Sequence, residues 1–100
     1  MYELPFGVKL TDGLVQWLRK YTSECHRDEP DFLPSIDWCA YGSGPRAGTW
    51  GWSVHWLSRR FMRSEDVFAV AELEVFFPAQ ERQRAAGHTL DLADGDLVER

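Results

Sequence analysis

The stretch of sequence that decides the fold covers residues 36–57 and reads IDWCAYGSGPRAGTWGWSVHWL. Four bulky side chains recur there at every second position: Trp50, Trp52, Val54 and Trp56. Because alternate side chains of a strand point to opposite faces, these four groups share one face of a strand over residues 49–57. Residues 36–41 are predicted to form the neighbouring strand. The pair therefore predicts an antiparallel hairpin with a long, glycine-rich loop at residues 42–48.

An amphipathic helix is predicted upstream of the hairpin. Thr11 is suited to the N-cap position, and Asp12 places negative charge in the first turn, where the helix dipole favours it. One apolar stripe follows at helical spacing: Leu14, Trp17, Leu18 and Tyr21. Arg19 and Lys20 are expected in the last turn of this helix.

The remaining elements are short. Residues 4–10 are expected to form one edge strand, and residues 22–34 a polar connector closed by Pro30 and Pro34. Residues 65–77 allow two short strands around Ala71-Glu72 or one helix, and their aromatic and β-branched side chains favour strands. Residues 79–86 predict a short helix stopped by a glycine, and residues 89–92 a final strand.

Length and composition bound the class of protein. One hundred residues, 44% of them hydrophobic, predict a single domain over residues 1–100 with a packed core, in which most of the five tryptophans are buried or half-buried. The net charge of -5 argues against sequence-independent binding to nucleic acid. The sequence has no apolar run of the ~18 residues that would indicate a membrane span, and its start does not resemble a secretion signal. A cytoplasmic location is expected, with both cysteines as free thiols.

Three segments of the sequence together resemble the HesB/IscA family, the A-type proteins linked to iron–sulfur cluster assembly. The first, VKLTD at residues 8–12, leads into the helix. The second is AYGSG at residues 40–44 followed by WGWSV at 50–54. The third is EVFFP at residues 74–78 followed by GHTLDLADG at 87–95. The resemblance implies a sheet-dominated α+β fold, a flattened β-barrel or sandwich with one main N-terminal helix and a short helix before the last strand.

The sequence departs from this family at the positions that bind the cluster. The resemblance implies one cysteine in the glycine loop and a Cys-Gly-Cys near the C-terminus, since thiolates ligate cluster irons. Here Ser43 or its neighbours occupy the loop position, and no cysteine follows Gly95. Cluster carriage by the family mechanism is therefore not expected. The leading hypothesis is a non-enzymatic module, without a cofactor, that binds a protein partner, a small ligand or a second copy of itself.

The glycine loop supplies the candidate binding residues Ser43, Gly44, Arg46 and Gly48. Their backbone N–H groups and the Arg46 guanidinium could hold an anion. A simple hairpin connection explains the same residues, since the loop lacks the Gly-Lys-Ser/Thr of a phosphate loop.

The alternative hypothesis is a protein that binds a single metal ion or that acts as an accessory protein in iron–sulfur assembly. Cys39, or Cys25 with His26, could ligate a single iron or zinc ion, within one chain or across a dimer. The residues themselves favour the other interpretation: Cys39 as a packed thiol in a strand, and Cys25 and His26 as part of a solvated acidic loop, because zinc ligands are usually spaced as C-x₂-C or H-x₃-H. Neither His55 nor His88 has a serine or cysteine at a spacing typical of a nucleophile–base pair, so no catalytic residue is predicted.

Overall fold

Two four-stranded mixed sheets and two helices make up the fold in a computed structural model that describes residues 1–100. The strands and α-helices in chain order are β1 Tyr2–Glu3, β2 Lys9–Leu10, α1 Asp12–Cys25, β3 Phe32–Ala40, β4 Trp50–Ser58, β5 Val67–Val70, β6 Leu73–Phe76, α2 Ala79–Ala85, β7 Thr89–Ala93 and β8 Asp96–Glu99. Two short 3-10 helices, Arg59–Phe61 and Ser64–Asp66, connect β4 to β5. The first sheet has the order β1-β2-β7-β8 and the second the order β4-β3-β6-β5. The predicted sheet-dominated α+β class is confirmed, with an open arrangement of two sheets and no closed barrel.

Helix α1 begins as predicted and ends later than predicted. The Thr11 side chain accepts a hydrogen bond from the Leu14 N–H at 3.3 Å, which confirms the N-cap. The expectation that Arg19 and Lys20 lie in the last turn is wrong, because the helix continues to Cys25. No glycine or proline occurs between position 13 and Pro30, so nothing in the sequence breaks the helix at Tyr21. Neither helix of the fold is long and apolar enough to cross a bilayer.

Strand β3 begins at Phe32, four positions before the predicted start, and includes Pro34. In the β3–β4 ladder the Arg59 N–H donates to the Asp31 carbonyl oxygen, and the odd-numbered pairs exchange hydrogen bonds from there onward. Pro34 is opposite Trp56, at an even position of this ladder. Its missing N–H therefore costs no hydrogen bond to β4, which is why proline is tolerated inside this strand.

The core lies between the two sheets and α1. Trp52 is 2% exposed and packs against Phe77, with ring centroids 5.8 Å apart. Fifteen buried side chains form one cluster: Leu4, Val8, Leu10, Leu14, Val15, Leu18, Ile36, Trp52, Val70, Leu73, Val75, Phe77, Ala85, Leu90 and Leu97. Trp50, in contrast, is 61% exposed, although it lies on the same face of β4 as Trp52.

Three short segments test the other predictions. Residues 65–77 form the two strands β5 and β6, as favoured. The single edge strand predicted for residues 4–10 is wrong: the Leu4 N–H donates to the Val8 carbonyl oxygen and Gly7 adopts φ +83°, so a tight turn separates β1 from β2. Strand β8 was not predicted, and it follows the turn at Asp94 and Gly95, both of which adopt positive φ.

Candidate functional site

The glycine loop folds into a turn in which some backbone N–H groups bond to the loop's own carbonyl oxygens. Ala47, Gly48 and Thr49 donate their N–H groups to carbonyl oxygens of residues 41–46, at N–O distances of 3.0 to 3.1 Å. Gly44 and Gly48 adopt φ values of +80° and +87°, which side chains disfavour. Ser43 and Gly44 are exposed on the outside of the turn. Of the four candidate residues, Gly48 therefore has its N–H already bonded within the loop.

Tyr41 fixes the base of this loop against β4. Its hydroxyl donates to the Trp52 carbonyl oxygen at 2.6 Å. The Arg46 guanidinium lies over the Tyr41 ring, 4.5 Å from its centroid. A Cβ atom at Gly51 would be 2.6 Å from the Tyr41 hydroxyl oxygen, so only glycine leaves room for this arrangement. Arg46 is thereby held beside the first residues of β4.

A cavity of about 270 Å³, here called the seam cleft, separates the beginning of β4 from β8. Its lining consists of Trp38, Arg46, Trp50, Gly51, Trp52, Leu97, Val98 and Glu99. Strands β4 and β8 are edge strands of different sheets and do not pair there. The Trp52 Nε1–H donates to the Glu99 carboxylate at 3.3 Å, which connects the two walls.

Aromatic and charged groups alternate around the seam cleft. Trp38 meets Trp52 edge to face at 5.3 Å, and the Arg84 guanidinium lies 4.6 Å from the Trp38 ring centroid. Trp50 lies at the rim. The cleft thus offers apolar ring surface, one carboxylate at Glu99 and the guanidinium of Arg46, a combination typical of binding sites.

A second cavity, of about 410 Å³, lies between the C-terminal half of α1 and the beginning of β6. Only Leu33 and Leu73 contribute apolar lining. Arg59 forms a two-pronged ion pair with Glu74 at its wall, and that hydrogen bond lowers the pKa of Glu74. The charges in this cavity are largely paired with each other, so it offers less to a ligand than the seam cleft does.

Cys25 and His26 lie at the end of α1. The His26 Nε2 atom is 2.6 Å from the Phe32 carbonyl oxygen, and this contact orients the ring toward the main chain. Burial, followed by the carboxylates of Glu29 and Asp28, raises the pKa of the Cys25 thiol. The thiolate that metals bind is therefore disfavoured at this position.

Cys39 lies elsewhere, on the outer face of the second sheet, the face opposite α1. Its Sγ atom is 2.9 Å from the Ser53 hydroxyl oxygen across the β3–β4 ladder. On the same face His55 Nδ1 is 3.7 Å from an Asp37 carboxylate oxygen. No group of three or more His, Cys, Asp or Glu side chains that could hold a metal ion occurs within the chain.

Sequence reasoning placed Arg46 in the site and missed most of its surroundings. Glu99 was missed because β8 was not predicted, and Arg84 because nothing in its local sequence points to β3. One signal was available: Gly51 stands between two tryptophans in a strand, and glycine inside a strand often marks a close approach by another group. The approaching group is Tyr41.

The fold is similar to that of two solved structures. The crystal structure of Escherichia coli SufA, described as involved in biosynthesis of iron–sulfur clusters, superposes with a TM-score of 0.60 at 15% identity, over 94% of this chain and 82% of that one. A solution NMR structure of a protein from Aquifex aeolicus has a TM-score of 0.58 at 20% identity, over 100% of this chain and 98% of that one. No protein-family model and no curated protein matches the sequence. These similarities confirm the predicted HesB-like fold.

Proposed function

We propose that this chain is a non-enzymatic protein-binding module built on the fold of an iron–sulfur biogenesis protein. The seam cleft accepts one apolar or aromatic side chain of the partner, while Trp50 and the loop at Ser43–Gly48 form the rim. The observation that carries the proposal is a tryptophan, Trp50, left 61% exposed beside a cleft that is also lined by Trp38 and the buried Trp52.

The size of the cleft favours a side chain over a free small molecule. Pockets for drug-sized ligands are typically about 300–1,000 Å³, and this cleft, at about 270 Å³, is below that range. Tryptophan and arginine are enriched among the residues that dominate protein–protein binding, and both types line the cleft. A partner with one aromatic anchor therefore fits the volume and the chemistry.

The glycine loop supports binding without cluster chemistry. The loop has no cysteine, and serine, at position 43, stands among its glycines. Cys39 is hydrogen-bonded to Ser53 on the outer face, while the seam cleft is lined by other residues. The similarity to SufA supports a shared fold. In this proposal the chain works through its binding surface and not through the thiolate ligands that the resemblance implies.

The proposal can be tested with N-acetyl-tryptophanamide as a probe of the cleft, followed by NMR of the tryptophan indole N–H signals. We expect millimolar binding that shifts the signals of Trp38, Trp50 and Trp52. The signals of Trp17 and Trp56 should stay unchanged, because these rings pack against each other at the α1 side of β4. Trp50→Ala should abolish most of the shift.

The matched control is Phe61→Ala, which removes another exposed aromatic ring, 72% exposed, away from the cleft. This variant should bind the probe as the native chain does. Equal shifts at all five indoles, or no shift at any, would contradict the proposed site. A stoichiometric visible absorption band after anaerobic reconstitution with iron and sulfide would overturn the proposal that the chain works without a cluster.

A further inference from the structure

Strand β4 is the one long edge of the molecule. Each sheet ends in two edge strands: β1 and β8 in the first sheet, β4 and β5 in the second. Strand β1 has two residues, and β5 and β8 have four each, whereas β4 has nine. Proteins normally protect edges by keeping them short or by placing proline or charged residues there. Between Trp50 and Ser58 there is no proline, lysine, arginine, aspartate or glutamate.

The outward side of β4 has backbone groups without partners. Because odd-numbered residues of β4 bond to β3, the N–H and C=O groups of even-numbered residues point away from it. The Trp52 carbonyl oxygen is occupied by the Tyr41 hydroxyl, and β8 runs alongside this end of the strand. At the other end the chain leaves the strand at Ser58 and enters a short 3-10 helix, Arg59–Phe61. In the middle of the strand, no hydrogen bond outside the β3–β4 ladder involves the main chain of Val54 or Trp56. These four groups are called the free edge below.

Apolar side chains flank the free edge on both faces. Leu57 is 42% exposed on the outer face. On the other face Tyr21 is 40% exposed and stacks beside Trp56 and Trp17, at centroid distances of 6.3 and 5.1 Å. Exposed apolar groups on both sides of an unpaired strand are expected where a further strand covers them.

We propose that a second copy of this chain pairs with the free edge, β4 against β4, antiparallel and around a two-fold axis at His55. In this register Val54 is opposite Trp56 of the partner subunit, and Trp56 opposite the partner's Val54. The four N–H and C=O groups of each copy's free edge are then all satisfied, by four hydrogen bonds in total. The joined sheets form one continuous sheet of eight strands.

Self-complementarity favours a second copy over an unrelated strand. Val54 and Trp56 are separated by one position, so a two-fold axis through that position maps each onto the other and leaves none of the four groups of the free edge unpaired. Strand β4 contains no lysine, arginine, aspartate or glutamate. With His55 neutral, two copies of β4 can therefore lie side by side without placing like charges opposite each other. Because the interface is small, the dissociation constant should be weaker than about 1 μM.

Cysteine crosslinking tests the register directly. In a Cys25→Ser, Cys39→Ser background, His55→Cys places two thiols opposite each other across the axis, at a non-hydrogen-bonded pair whose Cα separation suits a disulfide. The matched control is Ser53→Cys, on the same face of the same strand, where the two thiols of a dimer would be about 13 Å apart. We expect rapid oxidation to a covalent dimer for His55→Cys and none for Ser53→Cys. Equal crosslinking of both, or of neither, would overturn the proposal, as would crosslinking only between mixed Ser53→Cys and His55→Cys chains.

Sedimentation velocity on the unmodified chain gives the second readout. We expect a monomer–dimer equilibrium in the micromolar to submillimolar range. Val54→Pro removes an N–H that points away from β3, so the fold is retained while two of the four intermolecular hydrogen bonds are lost. Dimerisation should weaken at least ~10-fold. A native chain that stays monomeric up to about 1 mM, or a folded Val54→Pro chain with undiminished dimerisation, would contradict the proposal, and the crosslinking result decides it if this variant fails to fold.

Discussion

At the scale of single residues, Gly51 is the position on which the site depends most. It lies in the middle of a run of tryptophans, and its lack of a side chain lets the Tyr41 ring cross β4 and bond to the Trp52 carbonyl oxygen. Arg46 in turn lies on the outside of that ring. A glycine in a strand usually lowers stability, so its presence here is explained by the close approach of Tyr41.

Gly51→Ala should lower the free energy of unfolding by about 1–3 kcal/mol, because the added methyl group overlaps Tyr41 and forces the ring away. The cost is measured by chemical denaturation of the native chain, the two single variants Gly51→Ala and Tyr41→Ala, and the double variant. In the Tyr41→Ala background the same glycine substitution should cost little or become favourable, since the space is then empty. Additive effects of the two substitutions would refute the proposed contact.

At the scale of elements, the β5–β6 hairpin contains a turn that its sequence does not favour. Val70 pairs with Leu73, so the loop has two residues, Ala71 and Glu72. Their φ values are +47° and +66°, the left-handed region that two-residue hairpin loops require and that Asn-Gly or Asp-Gly supply best. The apolar side chains of the flanking strands, including buried Val70 and Leu73, hold the turn in place despite this cost.

Glu72→Gly should raise the free energy of unfolding by about 1 kcal/mol, because glycine adopts positive φ without steric cost. The control is Glu72→Ala, which removes the same carboxylate but keeps the disfavoured backbone conformation. The lost contact with Arg19, at 3.8 Å between exposed groups, is worth little in either variant. Thermal and urea denaturation should show a higher free energy of unfolding for Glu72→Gly only. An equal increase in both variants would mean that removal of the charge is the cause.

At the scale of the whole molecule, Asp91 connects the two ends of the chain. Its carboxylate accepts a hydrogen bond from the Thr11 hydroxyl at 2.6 Å and forms an ion pair with Arg100. Thr11 simultaneously caps α1, so the first sheet, the main helix and the last residue meet at one carboxylate. The hydrogen bond from Thr11, followed by that from Arg100, lowers the pKa of Asp91.

This depressed pKa predicts a pH dependence of stability. The unfolded pKa of an aspartate is about 3.9, so the stabilisation is fully present above that value and is lost as the pH falls toward the lower folded pKa. Asp91→Asn should therefore show a shallower loss of stability between about pH 5 and about pH 2.5 than the native chain, as followed by urea denaturation. Asp94→Asn, in the exposed turn three positions on, should keep the native slope. An unchanged slope in Asp91→Asn would show that other groups dominate the acid response.

Local pattern was enough to predict most of the fold. The alternation of Trp50, Trp52, Val54 and Trp56, the helix stripe after Thr11 and the β-branched segments around Ala71-Glu72 each indicate their element through side chains within a few residues of one another. The resemblance to HesB/IscA proteins in turn implied the arrangement that the superposition on SufA supports. The strand starting at Phe32 was missed because the tolerance of Pro34 depends on which side of β3 its nitrogen faces, and only the pairing with β4 fixes that.

The site depended on the tertiary structure much more than the fold did. The sequence by itself determined that a glycine loop containing Arg46 adjoins a strand of tryptophans, and that this loop has no cysteine. Only the packed structure brought Glu99 to Trp52 over 47 positions and left Trp50 exposed beside the cleft while Trp52 is buried. The physical reason is that strand periodicity assigns a side chain to a face, whereas its burial depends on which distant segment covers that face. Here β8 and α2 cover the face incompletely, and the incomplete cover is the cleft.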